Sequence, residues 1–293
     1  MSTGPAFLHQ PSRIHEPVEA PRQVLCQPFA QVVGQSPWRM SLLHDRPDDL
    51  LLWVTRGQGK IVIDGVRRGL GVNNAVFLPA GTLMAVDLGP QSLAQVIQSP
   101  PGLTDRLPRS PLHLRPRESL AQAELTGEIE AMQREIARDR PMVQDALAAH
   151  LTLVAVWLER QRSEAPVDAP RETAADRLVR RYAQLLVAHH RSDRVMSDYA
   201  DMLDVTPTHL SRTAKAACGR SAAEMLTERV VYAAREMLSE PEPPVGEVAE
   251  ALGFNSAAYF GRFVQTHTGA TPTDLRARAG RDAPATPLSA RRP

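Results

Sequence analysis

The chain has 293 residues, a formal net charge of +1, 43% hydrophobic residues and 23% charged ones. That length exceeds one ordinary core and suits two domains, and the composition excludes a disordered or fibrous chain. Two cysteines, Cys26 and Cys218, exclude a disulfide framework, and near-neutrality leaves any polyanion binding to the local placement of basic groups.

Residues 1–22, rich in Pro and polar side chains, lack the basic start and apolar run of a signal peptide and read as a flexible arm. No stretch approaches the ~20 apolar residues of a membrane span. With so few thiols, the expectation is a reducing, cytoplasmic location and no membrane contact.

From residue 23 to 116 the pattern is of short apolar runs broken by Gly, Pro and Asn: LLLWVTRG (50–57), KIVIDG (60–65), NAVFLPAG (74–81) and LAQVIQS (93–99). Asp64-Gly65 after alternating β-branched residues is a hairpin signal, and Gly57-Gln58-Gly59 marks a second tight turn. This spacing predicts a small β-barrel or sandwich.

After a proline-spaced connector, residues 117–160 turn helical. Leu125, Ile129, Met132 and Ile136 form one apolar seam; Leu147, Leu151, Val154 and Leu158 form another. Either both helices cover the barrel, or the first seam pairs with its copy in a homodimer. The charged flanks Glu128, Glu130, Arg134, Glu135 and Arg138 favour the dimer. Residues 161–173, with two prolines and no periodicity, read as a linker. Residues 174–280 read as a helical domain and 281–293 as a disordered tail.

Within that helical domain, AEALGFNSAAYFGRF (249–263) reads as helix, glycine turn, helix. Val245, Val248, Ala249 and Leu252 make one apolar face. Gly253 ends the helix in the left-handed region and Phe254 anchors the turn. Asn255 or Ser256 caps a second helix, whose buried face is expected to be Tyr259, Phe260, Phe263 and Val264. The design recurs in MSDYADMLDVTPTHLSRTAKAACG (196–219). Ala200 and Leu203 stand for Ala249 and Leu252, Asp204 for the glycine, and Leu210 and Arg212 for Phe260 and Arg262. Thr206 caps and Pro207 takes the first helical position. A single long helix, 221–240, separates the copies.

HLSR (209–212), AAREML (233–238), VAEALGF (248–254), YFGRF (259–263) and TGATPTDLR (268–276) together resemble the DNA-binding domain of the AraC/XylS family of transcriptional regulators. The resemblance covers residues 178–278 and implies a double helix-turn-helix whose second helices enter successive major grooves of double-stranded DNA, ~34 Å apart. It places Thr208, His209, Ser211, Arg212 and Lys215 on the first reading helix. Asn255, Ser256, Ala257, Ala258, Gly261 and Arg262 lie on the second. The bare second helix is expected to lie close to the groove and read through Arg262 and backbone shape, the first to supply most direct base contacts; phosphate binding by both arginines is the alternative. Two departures stand out. Thr213 and Ala214 replace larger apolar residues, thinning the first core. Gln265 and Thr266 replace a Lys pair, which implies a shallower salt dependence.

Residues 50–88 resemble the cupin-like effector domain of the same family. The implied architecture is α+β: a cupin-like barrel with a helical dimerisation segment, then an all-α domain with two helix-turn-helix motifs. Enzymes with that barrel bind a metal through several histidines; here His44 stands alone, Asp49 could mimic the acid, and Met84 holds the late His position. The expectation is no metal, no cofactor and no catalysis. His44, Trp53 and Met84 are the candidate effector-pocket residues, and Cys26 and Cys218 are expected to be buried, inert thiols. His189-His190 is expected to lie exposed near a helix end.

The leading function is a transcription regulator, expected to be an activator acting with RNA polymerase, controlled by a small-molecule effector in the barrel. One alternative drops the ligand and gives the barrel only dimerisation or partner binding. Another makes the barrel an enzyme; the histidine pattern speaks against it.

Overall fold

A computed structural model of the chain describes residues 23–164 and 172–282. The expected arm (1–22), most of the expected linker and the tail past residue 282 lie outside the described residues.

The N-terminal domain runs β1 (Leu25–Pro28), α1 (Phe29–Val33), α2 (Trp38–Ser41), β2 (Asp49–Arg56), β3 (Gly59–Ile63), β4 (Val66–Leu70), β5 (Ala75–Leu78), β6 (Met84–Leu88), β7 (Leu93–Ser99) and β8 (Leu112–Leu114). They form two antiparallel sheets, ordered β1-β7-β2-β5-β8 and β4-β3-β6. Asp64 and Gly65 both have positive φ, as a two-residue hairpin between β3 and β4 requires.

The run LLLWV becomes β2 because it is buried on both faces. Leu50, Leu52 and Val54 point into the core between the sheets, with Ile61, Val76, Met84 and Val96. Leu51 and Trp53 point the other way, into a second core with Phe77, Ile97, Leu125 and Trp157. A sheet apolar on its second face must be covered. Helices α3 (Ser119–Arg138) and α4 (Val143–Glu164) cover it.

This corrects the assignment of the first helical seam to a dimer interface. Leu125, Ile129 and Met132 are 0–2% exposed in the single chain, facing the five-stranded sheet; Ile136 is 39% exposed. The seam is consumed inside the protomer, and the covering-helix reading is the one the packing supports. The α4 helix also extends to Glu164, four residues into the expected linker.

The C-terminal domain comprises α5 (Ala174–His189), α6 (Met196–Met202), α7 (Pro207–Cys218), α8 (Ala222–Leu238), α9 (Val245–Ala251), α10 (Ala257–Thr268) and α11 (Pro272–Asp282). Among the described residues no helix is long and apolar enough to cross a membrane.

Candidate nucleic-acid interface

Each helix-turn-helix folds for reasons visible residue by residue. In the first, Ala200 lets α6 and α7 approach, and Leu203 and Leu210 close the core; all three are buried. Asp204 takes the left-handed conformation with φ 56°. Its neighbour Val205 donates its N–H to the Ala200 carbonyl at 3.1 Å. The Thr206 hydroxyl accepts from the His209 N–H at 3.2 Å, capping α7 behind Pro207.

The second unit repeats this with Ala249, Leu252 and Phe260 buried and Gly253 at φ 80°. A Cβ at Gly253 would lie 2.6 Å from the Asp193 nitrogen, so the turn needs glycine both for its dihedral and for close approach to the α5–α6 loop. Ser256, not Asn255, caps α10, its hydroxyl accepting from the Tyr259 N–H at 3.2 Å. Phe254 packs edge-on against Phe260, ring centroids 5.2 Å apart, and lies 5.1 Å from the Phe263 ring.

The fold leaves the reading faces outward. Thr208, His209, Arg212 and Lys215 on α7 are exposed and Ser211 is half-buried. Asn255, Ser256, Ala257, Ala258 and Arg262 are exposed and Gly261 is half-buried. Lys215 is drawn aside by Glu224, 3.2 Å away, though both side chains remain more than half exposed. Around Gly261 a Cβ would meet nothing within 4 Å, so this glycine answers no packing demand within the chain.

Tyr259 corrects the expected buried face. It is 57% exposed while Phe260 and Val264 are buried. The apolar pattern 259, 260, 263, 264 is wider than the core stripe, which centres on Phe260 and Val264. Tyr259 flanks it and puts an aromatic ring and a hydroxyl beside the bare positions Ala257 and Ala258. A tyrosine at the edge of an apolar stripe, where phenylalanine fills the centre, was the available signal.

The candidate effector residues do not converge. Trp53 lies outside the inter-sheet core, edge-on to Trp157 at 6.4 Å. Met84 lies inside that core. His44 is fully buried, with its ring against α8. They are three structural positions, not one pocket, since each packs into a different set of neighbours. His190 is also corrected: it is 5% exposed, its Nδ1 3.0 Å from the Leu186 carbonyl, because it caps α5 against the interior. Burial pushes the Cys26 thiol up to about 12 and also raises Cys218, which suits two inert thiols.

Residues 199–278 match the family described as "Helix-turn-helix domain". No curated protein sequence matches the chain significantly. Among solved structures, ToxT from Vibrio cholerae O395 is similar at 11% identity over 90% of this chain and 98% of that one, with a TM-score of 0.41. Unsaturated fatty acid bound wild-type ToxT from Vibrio cholerae strain SCE256 is similar at 12% identity over 88% and 96%, TM-score 0.40. The C-terminal domain of AraT, a response regulator from Geobacillus stearothermophilus, is similar at 26% identity over 40% and 93%, TM-score 0.34.

Proposed function

We propose that this chain, whose residues 199–278 match a helix-turn-helix domain family, is a sequence-specific DNA-binding regulator of transcription of the AraC type that reads two half-sites, one with α7 and one with α10. The observation that carries the reading is the pair of like units with their second helices uncovered on the protein surface. Each supplies the N-terminal turn that motifs of this geometry place in a major groove. The two helices divide the work unequally: α7 presents His209, Ser211, Arg212 and Lys215, whereas α10 presents Arg262 and Tyr259 on an otherwise bare face. The test is selection of duplexes from a random pool by the full chain, followed by footprinting. Two protected patches about one helical turn (~34 Å) apart are expected; uniform retention of the pool defeats the reading.

The N-terminal domain then serves as the control element, and activation with RNA polymerase is the expected outcome. An effector bound between the sheets has to displace closely packed apolar side chains, since Met40, Leu52, Val76 and Met84 are all at most 1% exposed. That filling gives weight to a second reading in which the domain is a ligand-free scaffold. A thermal-shift screen of small apolar metabolites separates the two: a rise in melting temperature supports an effector, and none across the screen supports the scaffold.

A further inference from the structure

The two helix-turn-helix units do not share a core. The first, with α5, belongs to a cluster that includes Leu43, Val62, Leu83 and Ala85 of the N-terminal domain and Ala222 and Met225 of α8. The second belongs to a separate cluster with Ala233, Ala234, Met237 and Leu238, at the other end of α8. Helix α8 is the element common to both, and its middle, Glu228–Tyr232, lies between them.

That middle is gripped by the N-terminal domain. Arg229, 3% exposed, donates its Nε–H to Asp45 at 2.9 Å. Glu228 accepts the Leu43 N–H at 3.3 Å. The His44 ring stacks on Tyr232 with centroids 4.4 Å apart and planes 9° apart. Trp38 packs edge-on against Tyr232 at 5.4 Å, with the Arg235 guanidinium over its ring at 5.4 Å.

The grip connects inward as well. His44 and Met84 exchange two backbone hydrogen bonds, 2.9 and 2.7 Å, and the Met84 side chain belongs to the core between the sheets. A repacking of that core therefore displaces the backbone that carries His44. The seam is also polar. The buried atoms His44 Nε2, His190 Nε2 and Arg229 Nη1 reach no partner in the protein, and a buried ion pair adds little net stability. This polar seam adjoins the apolar contact of Leu43, Val62, Leu83 and Ala85 with the first unit. Yet it covers neither reading face, since the outward residues of α7 and α10 are exposed with the domains docked.

We propose that the N-terminal domain grips α8 at its midpoint and thereby fixes the angle between α7 and α10, so that its state is expressed as the spacing of half-sites the protein accepts rather than as access to DNA. This rests on the DNA-binding reading above and adds the device that regulates it.

The test uses the full chain and a duplex it has selected from a random pool. Inserting five base pairs between the half-sites turns the second one to the far side of the helix. Wild type is expected to prefer the original spacing at least about tenfold, because a rigid rod confers its effective concentration on one geometry only. Asp45→Arg, which sets two cations against each other, is expected to reduce that preference below about twofold while leaving single half-site affinity unchanged. Asp45→Arg with Arg229→Asp should restore the preference. Tyr232→Ala removes the stack without adding charge and guards against misfolding of the first variant. A second readout needs no DNA: spin labels at Met202→Cys and Thr266→Cys, one on each unit, should give a narrow distance distribution that broadens in both variants. The two native thiols, 7% and 2% exposed, are shielded from the label. A distribution as narrow in the variants as in wild type overturns the proposal, as does an unchanged spacing preference. If wild type selects no duplex at all, the DNA-binding reading fails, and the label distances still decide the grip.

Discussion

Arg262 offers the sharpest test of how the bare helix reads. On α10 the neighbouring outward positions Ala257, Ala258 and Gly261 carry no polar side-chain atoms. Among the described residues Arg262 has no ion pair, so its guanidinium is available to DNA without a competing internal acid. Arg262→Ala therefore removes the one Arg or Lys side chain of α10. A bidentate arginine–guanine contact contributes roughly 1–3 kcal/mol of discrimination, which is about 5- to 150-fold in affinity at 1.4 kcal/mol per tenfold. The assay is a binding titration of wild type and variant against the selected duplex and against every single-base substitution in it, repeated at several salt concentrations. Base readout predicts a loss concentrated at one guanine, where the variant no longer discriminates. A phosphate role predicts instead an equal loss on all sequences, with the salt slope reduced by about 0.9. That second pattern refutes base reading by α10.

The fold makes further predictions. Met132→Ala should lower stability by about 2–5 kcal/mol in chemical denaturation, with a midpoint independent of protein concentration, because Met132 is buried within one chain; a concentration-dependent midpoint would return the seam to a dimer. Gly253→Ala, at φ 80° and against the α5–α6 loop, should destabilise by at least about 1–3 kcal/mol and abolish protection of one half-site in footprinting. Gly261→Ala, with open space around it, should stabilise the helix by up to about 1 kcal/mol yet weaken DNA binding if α10 lies against the groove. Burial holds His44 at about 3, against roughly 6.5 when unfolded. Between those values the unfolded chain takes the proton and the folded chain does not, so stability falls as pH drops below 6.5. Burial raises the carboxyl of Glu236 nearby, an opposing trend that both proteins share. Comparing wild type with His44→Phe should therefore isolate about 2 kcal/mol of loss between pH 7 and pH 5.

The strands of the N-terminal domain and both helix-turn-helix units were legible because their signals are local. Turn residues, caps and periodicity act within a few positions, and Asp64-Gly65, Thr206-Pro207 and Gly253 each specify their own backbone. What lay beyond reach was partnership. The Leu125–Met132 seam announces an apolar face without saying what covers it, and only the second apolar face of β2 supplies the answer. Helices α1 and α2, five and four residues long, and β8, three residues in a proline-rich connector, are too short for any period to register. The sequence offers His44, Trp53 and Met84 as pocket candidates without saying what packs against them. The neighbours of His44 and Trp53 come from α8 and α4, 188 and 104 residues away in the chain.

One departure from the family pattern acquires a physical meaning in this light. With Thr213 and Ala214 where larger apolar residues are usual, the first helix-turn-helix cannot fill its own core. Ala214 is nonetheless 0% exposed, because the cluster it belongs to extends through Met225 and Val179 to Leu43, Val62, Leu83 and Ala85 of the N-terminal domain. The Gly65 turn between β3 and β4 fits against those same side chains, a Cβ there lying 3.3 Å from the end of Met225. The second unit, with Phe254, Phe260 and Phe263, closes its core with α8 and Leu275 and no residue of the N-terminal domain. Small residues in the first unit thus make room for the N-terminal domain. The apolar cores divide along α8, whose first half packs with the N-terminal domain and the first unit and whose last turns pack with the second.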